Sequence, residues 1–300
     1  VSVIPTNLGE KAVMRLLSSV SHKLTLADLG FSEENLKKVQ RSIEKPWGMI
    51  LATGPTGSGK TTTIYAILET LNRREVNIAT IEDPVEFEIA GINQSQVNTA
   101  AGYTFASGLR TLVRQDPDII MVGEIRDGET AKIAVNAAMT GHQLLSTLHT
   151  NDAATTIPRL IDLGAEPFLI ASTLICSIAQ RLVRRVCQGC VKEKEIKRAD
   201  FENIIPEEIL SLLFKEKPSV VIAEAGECPE CTHGYKGRIG IYEVLKNSEA
   251  IQELIHKRAG RAEIKDQAIK EGMTTIAEDA VQKLLAKETT LEEVIRVIQE

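Results

Sequence analysis

The residues most able to do chemistry begin at Gly54. Gly54, Pro55, Thr56, Gly57, Ser58, Gly59, Lys60 and Thr61 fit GxxxxGK[ST], with an apolar strand-like run ending at Thr53 and a helical pattern beginning near Lys60. In that setting the glycines let backbone amides face phosphate oxygens, and the helix N-terminus adds favourable partial charge. Lys60 can reach the β and γ oxygens, the Thr61 hydroxyl can ligate magnesium, and Thr62 joins the set of nucleotide contacts. The alternative is a glycine-rich turn that merely caps a helix; the flanking strand and helix favour phosphate binding.

Three further strand-like runs end in polar groups. IleAlaThrIle runs into Glu82, Asp83 and Glu86, carboxylates that could orient or deprotonate an attacking water. Asp118IleIleMetValGlyGlu124 has the Walker B form with Glu124 as the acid, suited to holding magnesium directly or through water. GlnLeuLeuSerThrLeu is bracketed by His142 and His149, either of which could sense a γ-phosphate or sit as a satisfied structural histidine. Either acidic cluster alone reads as a solvated strand end. Together, after a phosphate loop, they favour nucleotide hydrolysis. Cys187, Cys190, Cys228 and Cys231 form two CxxC knuckles, which points to a closed, structural, four-thiolate zinc site. The long gap between the knuckles leaves the metal's identity more open than the clustering, and Cys176 in an apolar helical run is expected in the core.

These groups need a scaffold, and 300 residues suit about two domains. With 35 Lys and Arg against 41 Asp and Glu, the net charge is −6, so there is no global basic surface for a nucleic acid. Phe168 to Ala179, the longest mostly apolar stretch, falls short of the roughly 18 residues that span a bilayer. The start ValSerValIlePro lacks the features of a signal peptide and is expected to be a cut inside a longer protein.

Helical periodicity marks Ala12, Val13, Leu16 and Leu17, then Leu36, Val39 and Ile43 behind a Ser32 cap. From Trp47 to about Val186, strands at Gly48 to Thr53, Asn77 to Ile81, Ile119 to Val122 and Leu144 to Leu148 alternate with helices. The expected helices lie near Thr61 to Leu71, Phe105 to Arg114, Thr130 to Met139 and Ala153 to Leu163. That alternation predicts an α/β fold with a mostly parallel sheet covered on both faces. Residues 191–217 read as a charged, solvated insertion outside any core. ArgIleGlyIleTyrGluValLeu reads as a strand, and 249–300 as short amphipathic helices, the last with a Thr290/Glu293 capping box.

In order, the phosphate loop, IleGluAspProValGlu, AspProAspIleIleMetValGlyGluIleArgAsp, ThrGlyHisGlnLeuLeuSerThrLeuHisThrAsn and the paired CxxC resemble the secretion ATPases of type II secretion and type IV pilus assembly over nearly the whole chain. The resemblance implies a RecA-like P-loop ATPase core over 46–186, preceded in 1–45 by the tail of an α+β N-terminal domain. A tetracysteine zinc module over 187–237 and a C-terminal strand and helical region over 238–300 complete the expected division. It makes Lys60 and Thr61 the phosphate and magnesium contacts, Glu86 the general base, Glu124 the Walker B acid, and His142 and His149 the His box pair. Arg15, in GlyGluLysAlaValMetArg, becomes the arginine that reaches the γ-phosphate, and Leu29 to Phe31 match a motif near the base. It further implies ATP, Mg2+ and Zn2+, a ring hexamer, and a membrane platform protein as partner at the cytoplasmic face of a bacterial inner membrane. The cysteines favour assembly or secretion over retraction. The competing readings are a nucleotide-gated scaffold with little turnover and a nucleic-acid-moving P-loop ATPase.

Overall fold

The computed structural model describes residues 1–14, 24–202, 204–215 and 217–299. Strands β1 (Ser2–Thr6) and β2 (Gly9–Val13) pair as an antiparallel hairpin of exposed residues. Ala12 and Val13, expected in a helix, therefore lie in a strand: Gly9 at φ 115° and the Thr6 hydroxyl, 2.7 Å from the Gly9 carbonyl, turn the chain back on itself. Leu16 and Leu17 lie outside the described residues. Helix α1 (Glu33–Ile43) forms as expected, its N-terminus capped by Ser32 Oγ, which accepts from Asn35 N at 3.2 Å.

The elements that follow are β3 (Gly48–Thr53), α2 (Lys60–Leu71), β4 (Ile78–Glu82), β5 (Asn93–Gln96), α3 (Phe105–Leu112), β6 (Ile119–Val122), α4 (Gly128–Met139), β7 (Gln143–Leu148), α5 (Thr156–Asp162) and α6 (Pro167–Thr173). Beyond them come β8 (Leu174–Val186), β9 (Lys192–Lys197), α7 (Glu207–Phe214), β10 (Ser219–Glu224), β11 (Tyr235–Lys246), α8 (Glu249–His256), α9 (Arg261–Lys270), α10 (Ile276–Leu285) and α11 (Leu291–Gln299). Seven strands form one sheet in the order β11-β8-β3-β7-β6-β4-β5, parallel throughout except for β11 against β8.

Strands β3, β4, β6 and β7 are buried along their whole length, which is why they read as mostly apolar runs rather than as alternating ones. One face is covered by Leu109, Ala134, Ile157, Ile170, Ile251 and Ile264 from α3, α4, α5, α6, α8 and α9. The other is covered by Val39 of α1 and by Ile64, Tyr65 and Leu68 of α2. No helix among the described residues is long and apolar enough to cross a membrane.

Three further expectations need correction. The apolar run through Cys176 is strand β8, not helix, although Cys176 is indeed buried in the core. Residues 191–217 are not a solvated insertion outside any core. Strands β9 and β10 pair, and Ile196, Ile209, Leu213 and Phe214 bury against Leu284 and Val294 in a third core, while the Lys and Glu residues of β9 stay on the solvent side. Thr290 and Glu293 serve tertiary contacts: the Thr290 hydroxyl meets the Tyr235 phenol at 2.9 Å, and the Glu293 carboxylate accepts from Arg184 N at 2.7 Å. Strand β5, with its polar NQSQ sequence, carries no apolar pattern that would mark it as a strand.

Candidate nucleotide site and cysteine cluster

The parallel strands bring their carboxyl ends to one edge, and β3 there gives way to the loop from Gly54 to Gly59, which leads into α2 at Lys60. Gly54 has φ 146°, and a Cβ on it would lie 2.5 Å from the Gln180 carbonyl oxygen, so the loop passes too close to β8 for any side chain. Gln180 also holds the loop from behind, its amide donating to Ser58 O at 2.6 Å. Lys60 is folded over the loop, Nζ donating to Gly54 O and Pro55 O at 2.9 Å each. Burial pulls the Lys60 pKa below the usual lysine range, while the nearby Glu124 carboxylate opposes that shift. Thr56, Gly57 and Thr62 are exposed, and Thr61 is half-buried at the helix start. Ser58 Oγ is buried with no hydrogen-bond partner among the described residues. A cradle of this form, with a lysine resting on its carbonyls and an orphaned hydroxyl inside it, fits a polyphosphate.

The carboxylates divide by environment. Glu82 is buried and already holds three donors: the Tyr65 phenol, the Thr80 hydroxyl at 2.5 Å and the Gln94 amide at 3.2 Å. Its role is to fasten the end of β4 to α2 and β5. Tyr65, burial and Glu82 together holding its phenol well above the ordinary range, also accepts from Glu86 N at 3.3 Å. The half-buried Glu86 thus hangs from a backbone positioned by Tyr65, a residue the motif reading missed. Its only sequence signal is its place five residues beyond Lys60, on the helix that follows the loop.

Glu124 stands next to the loop at the end of β6, with Arg126 at 2.5 Å from Oε1 and His149 Nε2 donating to Oε2 at 3.2 Å. Thr147 of β7 holds the backbone on both sides of Glu124: its hydroxyl donates to Gly123 O at 2.7 Å and its carbonyl accepts from Ile125 N at 3.0 Å. His142 is not part of this cluster. It lies at the opposite, amino edge of β7, a strand of six residues and so about 20 Å long, and its Nδ1 donates to Ala137 O at 2.9 Å near the end of α4. The two histidines bracket one strand, and a strand separates its ends. Arg15 lies outside the described residues. The Phe31 ring stacks on Tyr242 at 3.7 Å between centroids, and Leu29 O accepts from the Tyr242 phenol at 3.3 Å.

Away from the loop, the four knuckle cysteines meet with Sγ atoms 3.8 Å (Cys187–Cys228), 3.6 Å (Cys190–Cys231) and 3.4 Å (Cys228–Cys231) apart. Thiolates about 2.3 Å from a tetrahedral zinc stand about 3.8 Å from one another, so this cluster could hold a metal ion of that kind. The close approach that makes it depends on Gly226, where a Cβ would lie 1.9 Å from Cys190 O.

Residues 1–296 match the family model described as Type II/IV secretion system protein. The chain belongs to that family. It is similar to the Type II secretion system ATPase E of Vibrio cholerae, 49% identical over 303 residues that cover 100% of this chain and 58% of that protein. It is also similar to the Type IV pilus assembly ATPase PilB of Myxococcus xanthus, at 47% identity over 98% of this chain and 51% of the relative. The chain therefore spans little more than half the length of these curated relatives. Among solved structures, the pilus retraction motor PilT with bound ADP aligns over 98% of this chain and 72% of its own, with a TM-score of 0.71 and 27% identity. The α/β fold with its mostly parallel sheet is thus the fold of a secretion-family ATPase.

Proposed function

We propose that this chain is the ATP-hydrolysing motor of a machine that assembles a type IV pilus or a type II secretion pseudopilus. The observation that carries the reading is the loop cradle. Lys60 rests on the carbonyls of Gly54 and Pro55 where phosphate oxygens would take their place, beside Glu124 and His149. In this reading Gly54 to Thr62 bind ATP, and Thr61 and Glu124 hold Mg2+, which screens the phosphate charge. Glu86 acts as general base on the attacking water, and His149, hydrogen-bonded to Glu124, responds to loss of the γ-phosphate. Arg15 supplies a further positive charge to that phosphate. His142 acts indirectly at most, through the amino end of β7, since its ring is committed to Ala137.

Cys187, Cys190, Cys228 and Cys231 hold Zn2+ as a structural brace with no open coordination position. The motor core is assigned to 46–186, with the N-terminal tail over 1–45, the metal module over 187–237 and the C-terminal region over 238–300. Assembly rather than retraction is favoured by the names of the relatives at 47–49% identity and by the cysteine cluster. A ring hexamer at the cytoplasmic face of the inner membrane, working on a platform protein and not on nucleic acid, completes the proposal.

The test is steady-state ATPase activity against Lys60→Ala, at several protein concentrations, with and without DNA. Activity that rises with protein concentration, vanishes in the variant and ignores DNA is expected. Turnover that survives Lys60→Ala would remove the hydrolysis reading.

A further inference from the structure

We infer that Thr53 is a positioning residue for His149, its buried hydroxyl pinning the backbone on both sides of that histidine so that the imidazole stays aimed at Glu124. Thr53 is the last residue of β3, directly before the phosphate loop, and is fully buried. Its Oγ1 lies 3.1 Å from Leu148 O and 3.0 Å from Thr150 O, and it accepts from Thr150 N at 3.0 Å. Leu148 and Thr150 are the two chain neighbours of His149. The Thr150 hydroxyl adds a contact of 2.5 Å to the same oxygen. One side chain thus ties the strand that carries the phosphate loop to the bend that carries the His149 imidazole.

The rest of that bend is held by other elements and further along the chain. Arg181 donates to Asn151 O at 2.9 Å, Arg261 pairs with Asp152 at 2.5 Å, and Glu243 accepts from Ala153 N at 2.9 Å. These contacts fix where the bend goes next. Among the described residues, Thr53 is the side chain that engages both neighbours of the histidine. The Thr150 hydroxyl has further partners in Asp152 O at 3.1 Å and Thr156 Oγ1 at 3.3 Å, but its N–H donates to the Thr53 hydroxyl, so a methyl in place of that hydroxyl leaves the buried Thr150 N–H without its acceptor. The bend must then shift to find another. The imidazole meets Glu124 at 3.2 Å, close to the limit of a useful hydrogen bond, and a small shift is enough to lose it.

This inference rests on the motor reading for its kinetic consequence, but not for its structural one. The experiment compares Thr53→Val, which keeps the shape and removes the hydroxyl, with Thr53→Ser, which keeps the hydroxyl, each alone and with His149→Ala. Thr53→Val is expected to lower kcat about tenfold with the KM for ATP within about twofold, and Thr53→Ser to stay within about twofold of the parent. On the His149→Ala background, adding Thr53→Val should cost less than about twofold, because the group being positioned is gone. Losses that multiply in the double variant overturn the inference. In parallel, the ring nitrogen chemical shifts of His149 in the nucleotide-free chain, assigned with His149→Ala, should move in Thr53→Val and not in Thr53→Ser. Unmoved ring shifts also overturn it, and if the valine chain does not fold, Thr53→Ala takes its place. A parent chain that hydrolyses no ATP sinks the motor reading instead, and the ring shifts then decide the role of Thr53 alone.

Discussion

Glu293 offers a sharp quantitative test of what joins the last helix to the main sheet. Its side chain is about 2% exposed and lies between Arg184 of β8 and Arg296 of its own helix, each 2.9 Å away, while also accepting from Arg184 N at 2.7 Å. Burial works to raise its pKa, but the two guanidinium groups and the backbone donor outweigh it and hold the carboxyl down at about 2, from an ordinary 4.5. The pKa is depressed in the folded state, so the stabilisation is present above the unfolded value and is lost as pH falls through the folded one.

The shift from 4.5 to about 2 corresponds to about 3 kcal/mol at neutral pH, falling to about 1 kcal/mol at pH 3 and vanishing below pH 2. Glu293→Gln, which keeps the shape and removes the charge, should therefore lower the urea-unfolding free energy by about 3 kcal/mol at pH 7. The gap from the parent should close between about pH 4.5 and pH 2. Far-UV circular dichroism during urea titrations of both chains at pH 7, 5 and 3 measures it. A gap that is absent at pH 7, or that is the same at pH 7 and pH 3, refutes the assignment of this stability to the Arg184–Glu293–Arg296 group.

Glu86→Gln should leave nucleotide binding intact and slow turnover at least about a hundredfold, as removal of a general base does; single-turnover hydrolysis with labelled ATP checks it, and near-normal rates would reassign that role. Gly54→Ala forces a Cβ to 2.5 Å from Gln180 O and should weaken nucleotide binding at least about tenfold in a fluorescent-analogue titration, because the loop must leave its shape. Cys228→Ser should reduce bound zinc from about one per chain to well below half, measured by atomic absorption after dialysis, since three thiolates leave the tetrahedral set incomplete. Unchanged zinc content would place the metal elsewhere or show that none is held by this cluster.

The sequence by itself determined the features that a strong local spacing marks, though not the hairpin of β1 and β2 or the strand through Cys176. The spacing from Gly54 to Thr61 determines a loop that opens a helix, and the buried runs ending at Thr53, Val122 and Leu148 are legible because a strand covered on both faces is mostly apolar on both, without a polar residue at every second position. The CxxC spacing likewise marked four thiols for one cluster, and the Ser32 cap marked the start of α1. What only the tertiary structure decided is which strand ends meet. His142 and His149 flank one strand and look equivalent in sequence, yet the carboxyl edge holds only His149 beside Glu124, because a parallel sheet gathers one end of every strand and sends the other about 20 Å away.

The roles of Tyr65, Gln180 and Thr53 are not legible in the sequence for a related reason: each acts on a partner from another element, and no local pattern marks a hydroxyl or amide that will be buried there. The segment from 191 to 217 reads as charged and solvated in sequence because its Ile196, Ile209, Leu213 and Phe214 become a core only against Leu284 and Val294, some seventy or more residues further on. Hydrophobic burial is a property of a surface pair, and half of that pair is invisible until the chain has folded.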